Sequence, residues 1–131
     1  MIFLGIDYRT KNIGLAISDE EGRFAVDIPI LKHNPQSVLT SLKDICEQRR
    51  VEAIIIGIPG LDRENDMTSQ IRTFALNLAA ITKIKVDFWD ESFSSINAEM
   101  GLRGKRLKSS DSRAARMILQ EYLDFKYNKQ L

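Results

Sequence analysis

The 131-residue chain contains only one cysteine and one histidine, the side chains on which thiol-based and many covalent catalytic sites depend. A single cysteine, Cys46, excludes an internal disulfide and is typical of a protein from a reducing compartment. Cys46 lies among apolar residues of a predicted helix, so we interpret it as a small buried side chain rather than a reactive thiol. The histidine, His33, precedes Asn34-Pro35 and is interpreted as a surface loop residue. Nucleophilic catalysis through either side chain is therefore disfavoured.

The chain also has no apolar run long enough to span a membrane. Together with the single cysteine, this predicts a cytoplasmic protein without a membrane partner. The length is sufficient for one domain with a hydrophobic core, residues 1–131, and not for two.

A net charge of +1 says almost nothing about partners, but the charges are unevenly distributed. The segment 103–116 carries one acid, Asp111, and six basic residues: Arg103, Lys105, Arg106, Lys108, Arg113 and Arg116. Such a stretch is the pattern expected of a contact with a phosphate backbone. Charge alone leaves open the alternative that this is a solvent-exposed segment leading into a helix and that it binds no partner.

Hydrophobic periodicity predicts an α/β fold. Apolar or alternating runs predict strands at 2–7, 13–18, 24–31, 53–58 and 85–91, and Pro29 places the third strand at a sheet edge. Helical spacing predicts helices through 38–46, 67–81 and about 110–125, with a short helix at 94–102. Short turns make the first three strands antiparallel, whereas helical crossovers make strands one, four and five parallel. The order β-β-β-α-β-α-β-α with a mixed five-stranded sheet flanked by helices is the ribonuclease H-like arrangement.

Acids follow or end the strands that this topology brings to one sheet edge. Asp7 ends the first strand, Asp90 and Glu91 end the fifth, and Asp111 lies on the inward stripe of the last helix. Each has an ordinary explanation alone, because strand-end acids are common and an acid stabilises a helix amino terminus. Three inward acids together repel each other unless a cation neutralises them. Strand alternation does not choose between Asp90 and Glu91.

An oxygen-only ligand set favours Mg²⁺ or Mn²⁺ over zinc. The reaction that such a site supports is metal-assisted hydrolysis of a phosphodiester.

The chain resembles the YqgF family of bacterial RuvC-like nucleases, described as Holliday junction resolvases or pre-ribosomal-RNA nucleases. The resemblance covers nearly the whole chain and rests on four segments: Leu4–Tyr8 with Thr10, Lys11 and Gly14; Ile56–Pro59; Trp89–Glu91; and Asp111–Ala115 continued by Ile118–Leu123. Each segment is weak alone, but their order and spacing are specific.

The resemblance implies that Asp7, Glu91 and Asp111 are the catalytic residues and the ligands of Mg²⁺ or Mn²⁺, which selects Glu91 over Asp90. It also implies a nucleic-acid contact surface, for which the candidates are Arg9, Thr10, Lys11, Arg103, Lys105, Arg106, Lys108 and Arg113. Two positions depart from the family pattern: Arg9 replaces the usual Gly, and Ser92 stands where Arg is common.

The resulting prediction is a metal-dependent endonuclease that acts on structured RNA or branched DNA, most specifically at the 5′ end of pre-16S rRNA. The alternatives are a Holliday junction resolvase, for which a homodimer would supply two nicks, and a nucleic-acid-binding module with weak catalysis. A further alternative, an ATP-handling relative of actin and sugar kinases, requires two such domains, and this chain has room for one.

Overall fold

The computed structural model describes residues 1–62, 64–91 and 112–130. The short helix predicted at 94–102 and the predicted start of the last helix at 110 lie outside these residues.

The described elements follow the predicted order. The strands are β1 (Phe3–Tyr8), β2 (Asn12–Ser18), β3 (Ala25–Lys32), β4 (Ala53–Ile58) and β5 (Lys85–Asp90). The helices are α1 (Val38–Arg49), α2 (Asp66–Thr82) and α3 (Arg113–Gln130). Helix α2 begins with a reciprocal cap, in which the side chains of Asn65 and Thr68 each accept a hydrogen bond from the other's backbone N–H.

The strands form one mixed sheet in the order β3-β2-β1-β4-β5. Strand β1 pairs antiparallel with β2 and parallel with β4, β2 pairs antiparallel with β3, and β4 pairs parallel with β5. The predicted ribonuclease H-like arrangement is therefore confirmed, including the edge position of the strand that contains Pro29.

Alternation along β1 divides the core between the two faces of the sheet. Leu4 and Ile6 belong to a cluster with buried residues of α1 and α2, while Phe3 packs with α3 on the opposite face. Gly5 also lies on the α3 face, where a Cβ would stand 2.7 Å from Cβ of Leu119. Helix α3 thus crosses β1 so closely that only glycine fits at this position.

Helix α3 ends later than predicted, at Gln130 rather than near Phe125. Its last turns carry residues that pack through cation–π contacts, which hydrophobic periodicity does not reveal. The guanidinium of Arg23 lies 4.2 Å from the ring centroid of Tyr127, and Nζ of Lys126 lies 5.3 Å from that of Phe3.

Cys46 is buried in α1, as predicted. Burial raises the pKa of its thiol to about 11, so the thiolate is scarce at neutral pH.

Candidate active site

Asp7 lies at the carboxyl end of β1 with its side chain on the α3 face. Only 9% of the residue is exposed, and it is paired in register with Gly14 of β2. Nε of Arg9 donates a 2.7 Å hydrogen bond to Oδ2 of Asp7, so that charge is partly compensated. The departure at Arg9 therefore places a guanidinium directly on the candidate catalytic carboxylate.

Glu91 follows β5 and reaches the same face through a space left by a glycine. Gly57 of β4 is paired in register with Trp89. A Cβ on Gly57 would lie 3.2 Å from Cδ of Glu91 and 2.6 Å from Cδ1 of Ile118 in α3. The absence of a side chain at Gly57 is what lets the Glu91 carboxyl lie against β4, between the strand and the helix.

Asp90, the neighbour of Glu91, has a different local role. Its Oδ2 accepts a 3.2 Å hydrogen bond from the backbone N–H of Leu61, in the loop after β4. The guanidinium of Arg72 donates to the carbonyl of the same Leu61 at 2.6 Å. Asp90 thus fastens a loop, whereas Glu91 lies within electrostatic range of Asp7.

Burial and neighbouring charge raise the pKa of Glu91 to about 7. The largest cause is desolvation, followed by the negative charge of Asp7; Arg9 opposes both, and Asp90 and Glu121 add smaller increases. Two carboxylates held in one partly desolvated region are the electrostatic situation that a bound cation relieves.

Glu121 of α3 is a site neighbour that sequence reasoning did not assign. Its charge contributes to the raised pKa of Glu91. The sequence does contain a signal for this position. Ile118 and Tyr122 of the same helix pack toward the sheet, so an acid between them is expected near that face.

Ser112 is a second residue whose importance was missed. Its hydroxyl accepts a 3.1 Å hydrogen bond from the N–H of Leu15 in β2 and donates a 2.8 Å bond to the carbonyl of Ile28 in β3. The β2–β3 ladder is irregular between Ile13 and Leu15, and the Ser112 hydroxyl bridges the strands there. A serine next to an acid at a helix start is ordinarily interpreted as a cap, so the sequence offers no signal for this role.

The remaining predicted residues divide into two groups. Thr10 and Lys11 are exposed in the turn between β1 and β2, and Arg113 is exposed at the start of α3. The other five lie outside the described residues: Arg103, Lys105, Arg106, Lys108 and Asp111. Within residues 1–62, 64–91 and 112–130, no group of three or more His, Cys, Asp or Glu side chains is arranged to hold a metal ion.

His33 lies in a loop, as predicted, but not at the open surface. It follows β3 but is half-buried, with Nδ1 3.0 Å from the carbonyl oxygen of Arg9 and its ring edge-on to Tyr8 at 5.0 Å. The end of β3 pairs with the start of β2, which directly follows the turn after β1. His33 therefore reaches this turn, a contact that local sequence does not show.

Comparison with known proteins places this geometry in a family. The profile of RuvX, described as Holliday junction resolvase, matches residues 1–125. The chain belongs to the RuvX family. RuvX is the YqgF family, so the predicted membership in this family of nucleases is confirmed.

Two curated relatives match this RuvX protein over nearly their whole length. A protein of Maridesulfovibrio salexigens named "Putative pre-16S rRNA nuclease" is 38% identical over 132 residues, covering 94% of this chain and 98% of the relative. A relative with the same name from Clostridium botulinum strain Alaska E43 is 34% identical over 135 residues, covering 95% and 97%.

Solved structures support the RuvC-like fold. Thermus thermophilus RuvC in complex with a Holliday junction substrate matches with a TM-score of 0.62 and 15% identity, over 97% of this chain and 96% of RuvC. A second structure of the same RuvC matches with a TM-score of 0.62 and 16% identity, over 98% of this chain and 97% of RuvC.

In the part of the chain that the structure describes, no helix is both long and apolar enough to cross a membrane.

Proposed function

We propose that this RuvX protein is a metal-dependent endonuclease that cleaves structured RNA, with the 5′ end of pre-16S rRNA as its substrate. The observation that carries the proposal is the pair of acids, Asp7 and Glu91, held on the α3 face at the carboxyl ends of two parallel strands. Their mutual charge and burial raise the pKa of Glu91 to about 7, which a divalent cation would reverse.

The chemistry of these donors fits Mg²⁺ or Mn²⁺. Both described acids offer carboxylate oxygens, the ligands that these hard cations prefer. The sole cysteine is buried in α1 and the sole histidine contacts the Arg9 carbonyl, so neither adds a soft or imidazole ligand from the positions described. A bound divalent ion supplies a water activated for attack on phosphorus and stabilises charge on the phosphate.

Asp111 is proposed as the third acid because of the anchoring of Ser112. The Ser112 hydroxyl is bound to Leu15, the residue after Gly14, and Gly14 is the register partner of Asp7. Ser112 is therefore tethered close to the carboxyl end of β1, and we assign the third carboxylate to the residue that precedes it in the sequence.

The chain's own cations would position the scissile strand. Arg9 orients the Asp7 carboxylate and keeps a positive charge beside the reacting phosphate. Thr10, Lys11 and Arg113 are exposed. We assign to them the contacts with the phosphates on either side. We assign the remaining backbone contacts to Arg103, Lys105, Arg106 and Lys108, which act without sequence preference.

RNA is favoured over DNA because the curated relatives are named as pre-16S rRNA nucleases. A four-way DNA junction is the second candidate, because the family is described as Holliday junction resolvase. Symmetric junction cutting requires two active sites, so this candidate also requires a homodimer.

A cleavage panel tests the proposal. The substrates are pre-16S rRNA with its 5′ extension, an unstructured RNA and a four-way junction, each with Mg²⁺, Mn²⁺ or EDTA. We expect metal-dependent cleavage of the rRNA precursor, abolished in Asp7→Asn, Glu91→Gln and Asp111→Asn. Asp90→Asn is the matched control: it removes the acid adjacent to Glu91 that binds a loop, and it should still cleave.

Each alternative has its own outcome in the same panel. Cleavage of the junction in preference to the precursor, by a species that light scattering shows to be a dimer, would establish the resolvase function instead. Equal binding by wild type and Asp7→Asn without cleavage of any substrate would refute the enzyme and leave a binding module.

A further inference from the structure

A second concave site lies on the sheet face opposite Asp7. A cavity of about 380 Å³ opens between α1, α2 and the end of β1. One wall is formed by the rings of Tyr8, His33 and Phe74, and the α2 wall includes Ser69, Gln70 and Asn77. The volume is within the range of small-molecule sites. Nothing in the proposed metal chemistry uses these residues.

The three rings form a connected aromatic wall. The ring centroid of Tyr8 lies 5.0 Å from that of His33 and 4.9 Å from that of Phe74, while His33 and Phe74 are 6.1 Å apart. Phe74 is buried, whereas Tyr8 and His33 are half-buried and keep part of their surface accessible. The bond between His33 Nδ1 and the Arg9 carbonyl fixes the histidine ring in place. Partly exposed, immobilised rings are the usual stacking partners of unpaired bases.

The α2 wall supplies hydrogen-bonding groups without negative charge. Ser69, Gln70 and Asn77 are exposed, and the amides can both donate to and accept from a base edge. Among the ten side chains that the structure describes around the cavity, none is a carboxylate. These lining residues therefore carry no negative charge that would repel an anionic ligand.

Cationic residues are placed next to the histidine. The backbone N–H of His33 donates a 2.9 Å hydrogen bond to the carbonyl of Lys11, and Lys32 directly precedes His33. Both lysine residues are exposed. The backbone of both lysines therefore lies beside His33, so their long side chains are available to a phosphate of a nucleotide bound there.

We propose that the cavity binds one unstacked base from a single-stranded stretch of nucleic acid, with the Tyr8 and His33 rings against the base and Gln70 and Asn77 at its edge. This inference rests on the proposed nuclease function. The link is the peptide itself: Tyr8 lies between Asp7, which faces the metal site, and Arg9, which contacts both Asp7 and His33. A base held here would fix how the strand crosses the end of β1 toward the acids.

The test uses a short oligouridylate that contains one photoreactive 5-iodouridine, mixed with the full chain in EDTA to prevent cleavage. Irradiation should attach the base to the peptide that contains Tyr8 or His33, as identified by mass spectrometry. The double variant Gln70→Glu/Asn77→Asp retains side-chain size but places negative charge at the base edge. It should bind the oligonucleotide at least five-fold more weakly by fluorescence anisotropy and lose the cross-link.

Gln48→Glu makes the same amide-to-acid change on an exposed position of α1 that does not line the cavity, so it should bind like wild type. Circular dichroism of all three proteins establishes that they are equally folded. Unchanged affinity in the double variant, or cross-links that map elsewhere while wild type binds, would overturn the cavity assignment and leave the nuclease proposal intact. If wild type binds neither this oligonucleotide nor structured RNA or DNA, both proposals fail.

Discussion

Replacing Glu91 by glutamine should stabilise the metal-free protein at alkaline pH. The pKa of Glu91 rises from 4.5 to about 7 in the folded state. The folded protein consequently binds this proton more tightly than the unfolded chain, and stability falls as pH rises from 4.5 through 7. Each pKa unit corresponds to about 1.4 kcal/mol, so the ionised carboxylate costs the fold about 3 kcal/mol at pH 8.

Glutamine has nearly the same shape but cannot ionise, so Glu91→Gln should remove that loss. Urea denaturation in EDTA between pH 4.5 and 8.5 measures the effect. Near pH 4.5 the two proteins should unfold with similar free energies, and by pH 8 the variant should be more stable by about 3 kcal/mol. The matched control is Glu52→Gln, at an exposed position, which should follow the wild-type curve throughout.

A divalent cation should reverse this difference. Mg²⁺ at the proposed site would bind the ionised carboxylates of the folded state and should therefore stabilise wild type through mass action, whereas Glu91→Gln would lack one proposed ligand and should gain less. Parallel stability curves for wild type and Glu91→Gln across this pH range would refute the argument that Asp7 and burial act on Glu91.

Three further substitutions test other parts of the site. Arg9→Gln should tighten Mn²⁺ binding about ten-fold in calorimetry, since the cation no longer competes with the 2.7 Å ion pair on Asp7; weaker or unchanged binding would contradict this. Gly57→Ala should destabilise the fold by about 1–3 kcal/mol in urea, because its Cβ would stand 2.6 Å from Ile118, and should weaken Mn²⁺ binding by displacing Glu91. Ser112→Ala should cost about 1–3 kcal/mol by leaving the Leu15 N–H and Ile28 carbonyl without their hydroxyl partner, and an unchanged denaturation midpoint would exclude that role.

Local patterns were sufficient for the elements because periodicity and turn residues act over short distances. The strand at 53–58 was predicted with its observed bounds, and Pro29 correctly placed β3 at the edge because proline cannot donate to a neighbouring strand. The last helix was predicted too short, since contacts of Lys126 and Tyr127 with distant residues extend it.

The site was predictable only in part. An acid at the end of an apolar strand marked Asp7, and family resemblance selected Glu91; alternation alone could not, because the residues that end β5 can turn to either side. The structure separates them by their contacts, with Asp90 bound to the Leu61 N–H and Glu91 beside Gly57. No sequence rule connects positions so far apart in the chain.

Sequence by itself determined the order of elements, the mixed sheet and the position of Asp7, because these follow from hydrophobic spacing, turn length and the connections between successive elements. Tertiary structure alone decided that Arg9 binds Asp7, that Ser112 bridges β2 and β3, and that Tyr8 and His33 share a cavity wall with Phe74. The Ser112 contacts and the aromatic wall join residues that are far apart in the chain, and the Arg9 contact depends on how the chain turns after β1. A linear pattern carries no information about these distances.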